Sequence, residues 1–222
     1  FANLGAVQLN TGYGLAECQR AVDMAGADAL FLHLNPLQEA LQPEGDYDWR
    51  GLLSKIEHLC RRLPVPVVVK EVGWGISGSL ARQLAEVGVS AIDIAGAGGT
   101  SWSQVERFRL QDPLLIEVAD AFRGWGIPTA ESLRMVRQSA PNLPVFASGG
   151  LANGVDAAKC LALGASLAGM AAAFLKAAAV SAEAVADRIF IFRRQLEIAA
   201  FAAGAQTLKD LQDGSRILPQ ES

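Results

Sequence analysis

The sequence predicts an α/β protein with the (β/α)8 architecture, the TIM barrel. Short apolar runs alternate with helical periods along the chain, and the runs are almost continuously apolar, as in strands that are buried on both faces. Several helices also end in a glycine directly before the next strand, as at Gly26, Gly88 and Gly164. A length of 222 residues, 51% of them hydrophobic, suits a single domain over residues 1–222.

Six strand–helix units follow one another along the chain. We predict strands at residues 2–4, 29–33, 65–70, 91–94, 144–147 and 167–169. We predict helices at residues 14–25, 49–63, 77–87, 133–139 and 154–163, another from residue 171 onward, and a long helix over 181–203. Because six units do not close a barrel of eight, we expect that the first two βα units are missing from this chain.

The segment from Thr100 to Pro128 is long for a connection between two units. Its length, together with Arg107, Arg109 and Trp125, predicts an irregular active-site loop or an interface segment.

Composition indicates which classes of partner and which cellular compartment suit the chain. A net charge of −4 argues against nucleic-acid binding, which needs a basic face. The three cysteines are widely spaced, which indicates free thiols in a reducing, cytoplasmic setting. The apolar stretch over residues 161–180 is interrupted by Gly164 and Gly169, so no membrane span is predicted.

Polar and small residues cluster where the predicted strands end, the edge that carries the active site in parallel barrels. Ser148-Gly149-Gly150 and Gly169-Met170-Ala171 follow the last two strands. Backbone N–H groups in such loops approach phosphates closely, so the pair predicts a phosphate site, although either loop alone could be an ordinary turn. The glycine loop at residues 96–101 matches neither a P-loop nor a Rossmann motif.

Lys70 ends the third predicted strand, where a buried ammonium needs an anion or acceptor. It could place a positive charge beside an electron-rich cofactor, the interpretation we prefer, or form a Schiff base as in barrel aldolases. The segment from His33 to Glu39 adds imidazole, amide and carboxylate groups. It does not suit a structural zinc site, but Glu39 together with a diphosphate would suit Mg²⁺.

These segments resemble the type 2 isopentenyl-diphosphate Δ-isomerases, FMN-dependent enzymes of isoprenoid biosynthesis. The matching segments are residues 2–5, 33–46, 69–75, 95–102 and 147–150, and the similarity runs along nearly the whole chain. The resemblance implies interconversion of isopentenyl diphosphate and dimethylallyl diphosphate by proton transfer with reduced FMN and Mg²⁺. It also implies NADPH as the reductant and a cytoplasmic homotetramer or homo-octamer.

The resemblance also assigns roles to individual residues. FMN would contact Asn3, Lys70 and Thr100, and its phosphate would be held by the loop residues Gly149, Gly150, Leu151, Ala152, Ala171 and Ala172. The substrate would contact His33, Asn35, Gln38 and Trp102, with His33 and Gln38 as catalytic residues. Glu39 would hold the metal ion.

Two features depart from the family pattern. Ala152 stands where family members usually carry arginine, and the family's N-terminal Arg-Lys substrate-binding segment has no counterpart. These departures leave open a catalytically incomplete flavin-binding fragment, and a second alternative is an FMN-dependent 2-hydroxyacid oxidase or dehydrogenase. The oxidase would need a histidine base and an arginine pair near the sixth and seventh barrel strands, where this chain has Thr100, Ser101 and Trp102.

Overall fold

A single parallel sheet organises the protein, which is described by a computed structural model over residues 1–217. Its six strands pair in the order in which they occur along the chain. They are β1 (Ala2–Gly5), β2 (Leu30–His33), β3 (Val67–Lys70), β4 (Ala91–Asp93), β5 (Val145–Ala147) and β6 (Leu167–Ala168). The predicted alternation of parallel strands with helices, and hence the α/β fold class, is confirmed.

Helices connect the strands. They are α1 (Leu15–Ala25), α2 (Pro36–Leu41), α3 (Leu52–Arg62), α4 (Gly78–Glu86), α5 (Trp102–Arg109), α6 (Pro113–Asp120), α7 (Thr129–Ser139), α8 (Gly154–Ala162), α9 (Ala172–Ala178), α10 (Ala182–Ala202) and α11 (Leu208–Gln212). Of these, α1, α7 and α8 pack directly on the sheet. A 3₁₀-helix, Ala6–Asn10, follows β1. Among the described residues, none of these helices is both long and apolar enough to cross a membrane.

The prediction of an irregular segment between Thr100 and Pro128 is wrong, because α5 and α6 occupy most of it. Asp112 begins α6 by accepting the N–H of Leu114, and Pro113 fits the first turn because its missing N–H would have no partner there. The two helices are joined by Arg107, whose Nε lies 2.7 Å from Oδ1 of Asp120.

Strand register brings the functional side chains into one row. Gly5 lies opposite His33, His33 opposite Lys70, and Lys70 opposite Asp93. Alternate residues such as Leu30 and Leu32 point away from this row and pack with the helices in the main core. The C-terminal ends of the strands therefore present polar groups along a single edge.

Candidate active site

A cleft of about 1110 Å³ opens at the C-terminal edge of the sheet. Most side chains that the sequence predicted for the site line it: Asn3, His33, Gln38, Lys70, Thr100, Trp102, Gly149, Gly150, Leu151, Ala152, Ala171 and Ala172. Asn35 and Glu39 do not line it. The lining also includes Phe31, Glu71, Asp93 and Arg188, for which no role was predicted from the sequence.

His33 is held as a neutral imidazole. Its Nδ1 lies 3.1 Å from Nδ2 of Asn3. Because an amide nitrogen only donates, Nδ1 accepts and the ring proton resides on Nε2. Burial lowers the pKa of His33, and the nearby Lys70 lowers it further, while Glu39 acts in the opposite direction. His33 therefore offers the cleft an N–H donor.

Lys70 and Asp93 form the charged centre of the row. The ammonium of Lys70 donates to the carbonyl of Glu71 at 3.2 Å, and burial lowers its pKa. Oδ1 of Asp93 accepts from the Ser148 hydroxyl at 2.6 Å and from the N–H of Ala95 at 3.2 Å. Burial raises the pKa of Asp93, while the Ser148 hydrogen bond and Lys70 lower it. Asp93 thus connects the end of β4 to the loop that follows β5.

Glu71 fixes the loop after β3. One carboxylate oxygen, Oε2, accepts the N–H groups of Val72, Gly73 and Trp74 at 2.7, 2.9 and 2.7 Å. The residue is only 6% exposed. Burial raises the pKa of Glu71 to about 7, against the three N–H donors and Lys70, which lower it. A single side chain therefore determines the course of the backbone beside Lys70.

The loop after β5 is a cradle made by glycine. Gly149 and Gly150 have φ values of 101° and 77°, which L-residues rarely adopt. A Cβ on Gly149 would collide with the carbonyl of Gly96, and one on Gly150 would lie 2.6 Å from the carbonyl oxygen of Gly98. The loops after β4 and β5 are therefore packed backbone to backbone, and Thr129 ties them by donating to the Gly149 carbonyl at 2.6 Å.

The same loops leave backbone donors open towards the cleft. Within residues 1–217, the N–H groups of Gly150, Leu151, Ala171 and Ala172 have no hydrogen-bond partner. The N–H of Ala152 is engaged, because it donates to the carboxylate of Asp156 at 3.0 Å. Open N–H groups beside glycines suit an anionic group such as the phosphate of FMN. The residues present therefore fit that cofactor.

Gln38 is oriented by a buried carboxylate. Its Nε2 donates to Oε1 of Glu106 at 2.9 Å, and the same oxygen accepts from Nε2 of Gln42 at 2.8 Å. Glu106 is 3% exposed and also pairs with Arg109, whose Nη1 lies 2.8 Å from Oε2. Helix α5 thereby fixes which atoms of the Gln38 amide are available at the cleft.

Asn35 and Glu39, which do not line the cleft, hold the segment around α2 together. Nδ2 of Asn35 donates to Oε1 of Glu39 at 2.7 Å, and the N–H of Asp46 donates to Oε2 at 2.9 Å. Residues 1–217 contain no group of three or more His, Cys, Asp or Glu side chains arranged for a metal ion. The metal-binding role of Glu39 stays a prediction.

Several residues of the site escaped the sequence reasoning. Glu71 and Asp93 stand at strand ends next to predicted residues, so their position was the available signal. Glu106 lies inside α5 and reaches the site only through its hydrogen bond with Gln38, whereas Arg188 lies inside α10 and lines the cleft only because of tertiary packing. Among the described residues of the lining, His33 is the only histidine and Arg188 the only arginine, so the arginine pair expected of a 2-hydroxyacid oxidase is not found there.

A parallel sheet with a glycine-built cradle and a lysine in its cleft fits an FMN-binding protein, and comparison with known proteins agrees. The sequence profile of the FMN-dependent dehydrogenases matches residues 33–217, and the chain belongs to that family.

Individual relatives give a closer comparison than the family profile. The chain is 58% identical over 211 residues to an isopentenyl-diphosphate delta-isomerase from Synechocystis, covering 95% of this chain and 60% of the relative. It is 55% identical to the protein of the same name from Stutzerimonas stutzeri, covering 98% of this chain and 62% of the relative. The resemblance drawn from the sequence is thereby confirmed. The chain spans about three-fifths of the length of these relatives.

Solved structures support the fold alone. A lactate oxidase from Pediococcus acidilactici superposes with a TM-score of 0.69 at 17% identity, covering 98% of this chain and 61% of that one. A mandelate oxidase superposes with a TM-score of 0.61 at 19% identity, covering 89% of this chain and 57% of that one. At such identities the likeness concerns architecture and carries no information about substrate.

Proposed function

We propose that this chain carries the FMN site and much of the substrate site of an isopentenyl-diphosphate Δ-isomerase. The observation that carries the proposal is the convergence, in one cleft, of Lys70, His33 and Gln38 with the glycine cradle at Gly149 and Gly150. The isomerases from Synechocystis and Stutzerimonas stutzeri, which match nearly all of this chain, support the same reaction.

FMN would lie along the C-terminal edge of the sheet, with its phosphate at the open N–H groups of Gly150, Leu151, Ala171 and Ala172. Asn3, Lys70 and Thr100 would contact the cofactor. When bound in its reduced form, FMN supplies the proton donor and acceptor that an unactivated alkene requires. Lys70 would stabilise negative charge on its ring system, since the ammonium is half-buried and its charge is poorly screened there.

The protein's own groups would bind and orient the diphosphate substrate. His33 would donate its Nε2 proton to a substrate oxygen, because Nδ1 already accepts from Asn3. Gln38, fixed by Glu106, would stand beside the reacting carbons and help to position the proton that is moved. Trp102 is 39% exposed and lines the cleft, so its ring would exclude water from the alkene.

Asn35 and Glu39 would act together at the substrate's diphosphate. Glu39 would contribute one oxygen to Mg²⁺, with water and diphosphate oxygens supplying the other ligands. Asn35 already donates to Glu39 and would fix its orientation. NADPH as the source of reducing equivalents, a cytoplasmic location and a homotetrameric or homo-octameric assembly complete the proposal.

Two measurements test it in order. The purified chain is titrated with FMN, and we expect the flavin absorbance bands to shift on binding. Isopentenyl diphosphate is then supplied with dithionite-reduced FMN, with and without Mg²⁺, to this chain and to a chimera that adds the remaining part of the Synechocystis relative. Binding without turnover by the chimera would leave a flavin-binding fragment, the alternative raised by the sequence. Turnover of a 2-hydroxyacid by either protein would instead indicate an oxidase or dehydrogenase.

A further inference from the structure

Arg188 is placed beside the glycine cradle by the packing of one face of α10. Arg188, Phe192 and Gln195 lie on that face at helical spacing. Gln195 accepts the N–H of Gly154 at the start of α8 at 3.0 Å, and the ring of Phe192 lies 6.5 Å from that of Phe174 in α9. These two contacts fix the rotation of α10 about its axis, so Arg188 lines the cleft together with Ala152.

The guanidinium of Arg188 has no partner among the described residues. No hydrogen bond or ion pair joins it to residues 1–217, although Arg193 and Arg194 on the same helix both pair with Glu197. The carboxylate of Asp156, which contacts the cradle, is engaged by the N–H of Ala152. Arg188 is therefore an exposed cation without a protein partner among residues 1–217, and it borders loops whose N–H groups at Gly150, Leu151, Ala171 and Ala172 are open.

Position distinguishes Arg188 from the other cation of the cleft. Lys70 ends β3, and β4 separates that strand from β5, which leads into the cradle. Two strand spacings amount to about 10 Å. Ala152 contributes only a methyl group on the cradle side, so it neither supplies charge nor blocks the approach of a long side chain.

We propose that Arg188 binds the phosphate of the flavin and gives this chain its preference for FMN over riboflavin. The inference rests on the proposed function, since it takes the cradle as the flavin phosphate site. A phosphate monoester carries a charge of about −1.5 to −2 at pH 7, and guanidinium pairs with phosphate through charge-assisted, often bidentate hydrogen bonds. Arg188 would supply the charge, and the open N–H groups of Gly150 and Leu151 would fix the geometry.

The test compares two ligands that differ only in the phosphate. FMN and riboflavin are titrated into the unaltered chain and into Arg188→Met, and binding is followed by quenching of flavin fluorescence. Loss of one charge-assisted hydrogen-bond pair should weaken FMN binding about 10- to 100-fold and leave riboflavin binding within about 3-fold. Arg193→Met, on the same helix, is the matched control and should change neither affinity.

Two further variants keep the result interpretable. Arg188→Lys should retain part of the FMN preference because it keeps the charge but loses the bidentate geometry. Ala152→Arg combined with Arg188→Met should restore FMN affinity, because both positions line the same pocket. Equal FMN affinity in the unaltered chain and Arg188→Met would overturn the role of Arg188, and so would an equal loss for FMN and riboflavin. No FMN binding by the unaltered chain would overturn the proposed function as well.

Discussion

Replacing Glu71 tests how the loop beside Lys70 is held. In Glu71→Ala, the N–H groups of Val72, Gly73 and Trp74 lose their common acceptor. An unsatisfied buried donor costs about 1–3 kcal/mol. The hydrogen bond to Trp74 is buried, whereas those to Val72 and Gly73 are only partly buried and water can replace them in part. We therefore expect the free energy of unfolding to fall by about 2–5 kcal/mol.

Glu71→Gln keeps a hydrogen-bond acceptor for the three N–H groups but removes the negative charge of the carboxylate. Glutamine keeps one carbonyl oxygen for the three N–H groups, so at pH 5 its stability should lie within about 1 kcal/mol of the unaltered chain. The pKa of Glu71 is raised from 4.5 to about 7. Proton binding therefore stabilises the fold, fully so below pH 4.5, and this contribution is lost as the pH rises through about 7. Between pH 5 and pH 8 the Gln variant should gain up to about 3 kcal/mol relative to the unaltered chain.

The assay is urea unfolding of the three proteins, followed by circular dichroism at several pH values, with the exposed Glu44→Gln as the control. If Glu71→Gln lost as much stability as Glu71→Ala at every pH, the carboxylate charge would be holding the loop and the reasoning would be refuted. A pH-independent difference between Gln and Glu would contradict the raised pKa.

Three other perturbations have expected outcomes. Gly149→Ala must place a Cβ against the Gly96 carbonyl at a φ of 101°, so FMN affinity in a fluorescence titration should fall at least about tenfold. Gly124→Ala is the control, because a Cβ there meets nothing within 4 Å. Equal FMN affinities of Gly149→Ala and the unaltered chain would show that the cradle tolerates a side chain. Ser132→Ala removes a hydroxyl that accepts the N–H of Ile76 and donates to its carbonyl, both at 2.8 Å. The free energy of unfolding, measured with urea, should therefore fall by about 1–3 kcal/mol. A loss no larger than that of the exposed Ser54→Ala would contradict this expectation. Glu39→Gln should raise the Mg²⁺ concentration needed for half-maximal isomerisation in the chimera, and an unchanged requirement, matching that of Glu44→Gln, would remove Glu39 from the metal site.

The strands were predictable because their signals are local. Apolar runs such as the one before Lys70 are bounded by turn residues, and parallel pairing alone places the C-terminal ends of the strands at one edge. Boundaries shifted for local reasons as well. The predicted strand at residues 65–70 begins at Val67, since Pro66 has no N–H for the ladder, although its carbonyl accepts the N–H of Leu30.

The helices between Thr100 and Pro128 were missed for a different reason. Helix α5 is rich in polar residues and shows only a weak apolar period, with Ser103 and Glu106 among its buried positions. The Asp112-Pro113 pair that begins α6 is a start signal that could have been used, whereas burial of Glu106 depends on Gln38 and Gln42 from another unit.

The residues of the site also divide into those that can be predicted from local sequence and those that cannot. Residues at strand ends, such as His33 and Lys70, could be found from their position in the sequence. The role of Glu71 could not, because its three hydrogen bonds require the backbone to curl around one carboxylate, which the positive φ at Gly73 and Gly75 permits. Arg188 reaches the cleft only because Gln195 and Phe192 set the rotation of α10, a long-range contact that no local pattern encodes.

The backbone-to-backbone packing of the loops after β4 and β5 limits how this scaffold can change. Gly96 and Gly98 fill the space that side chains at Gly149 and Gly150 would need, and Thr129 donates to the carbonyl of Gly149. The three segments therefore form one packed unit. Swapping any one of them for a homologous loop would create a clash or a gap in the other two. Recombination between relatives should therefore succeed when its crossover points keep residues 96–99, 129 and 148–150 together, and this region should be inherited as a block.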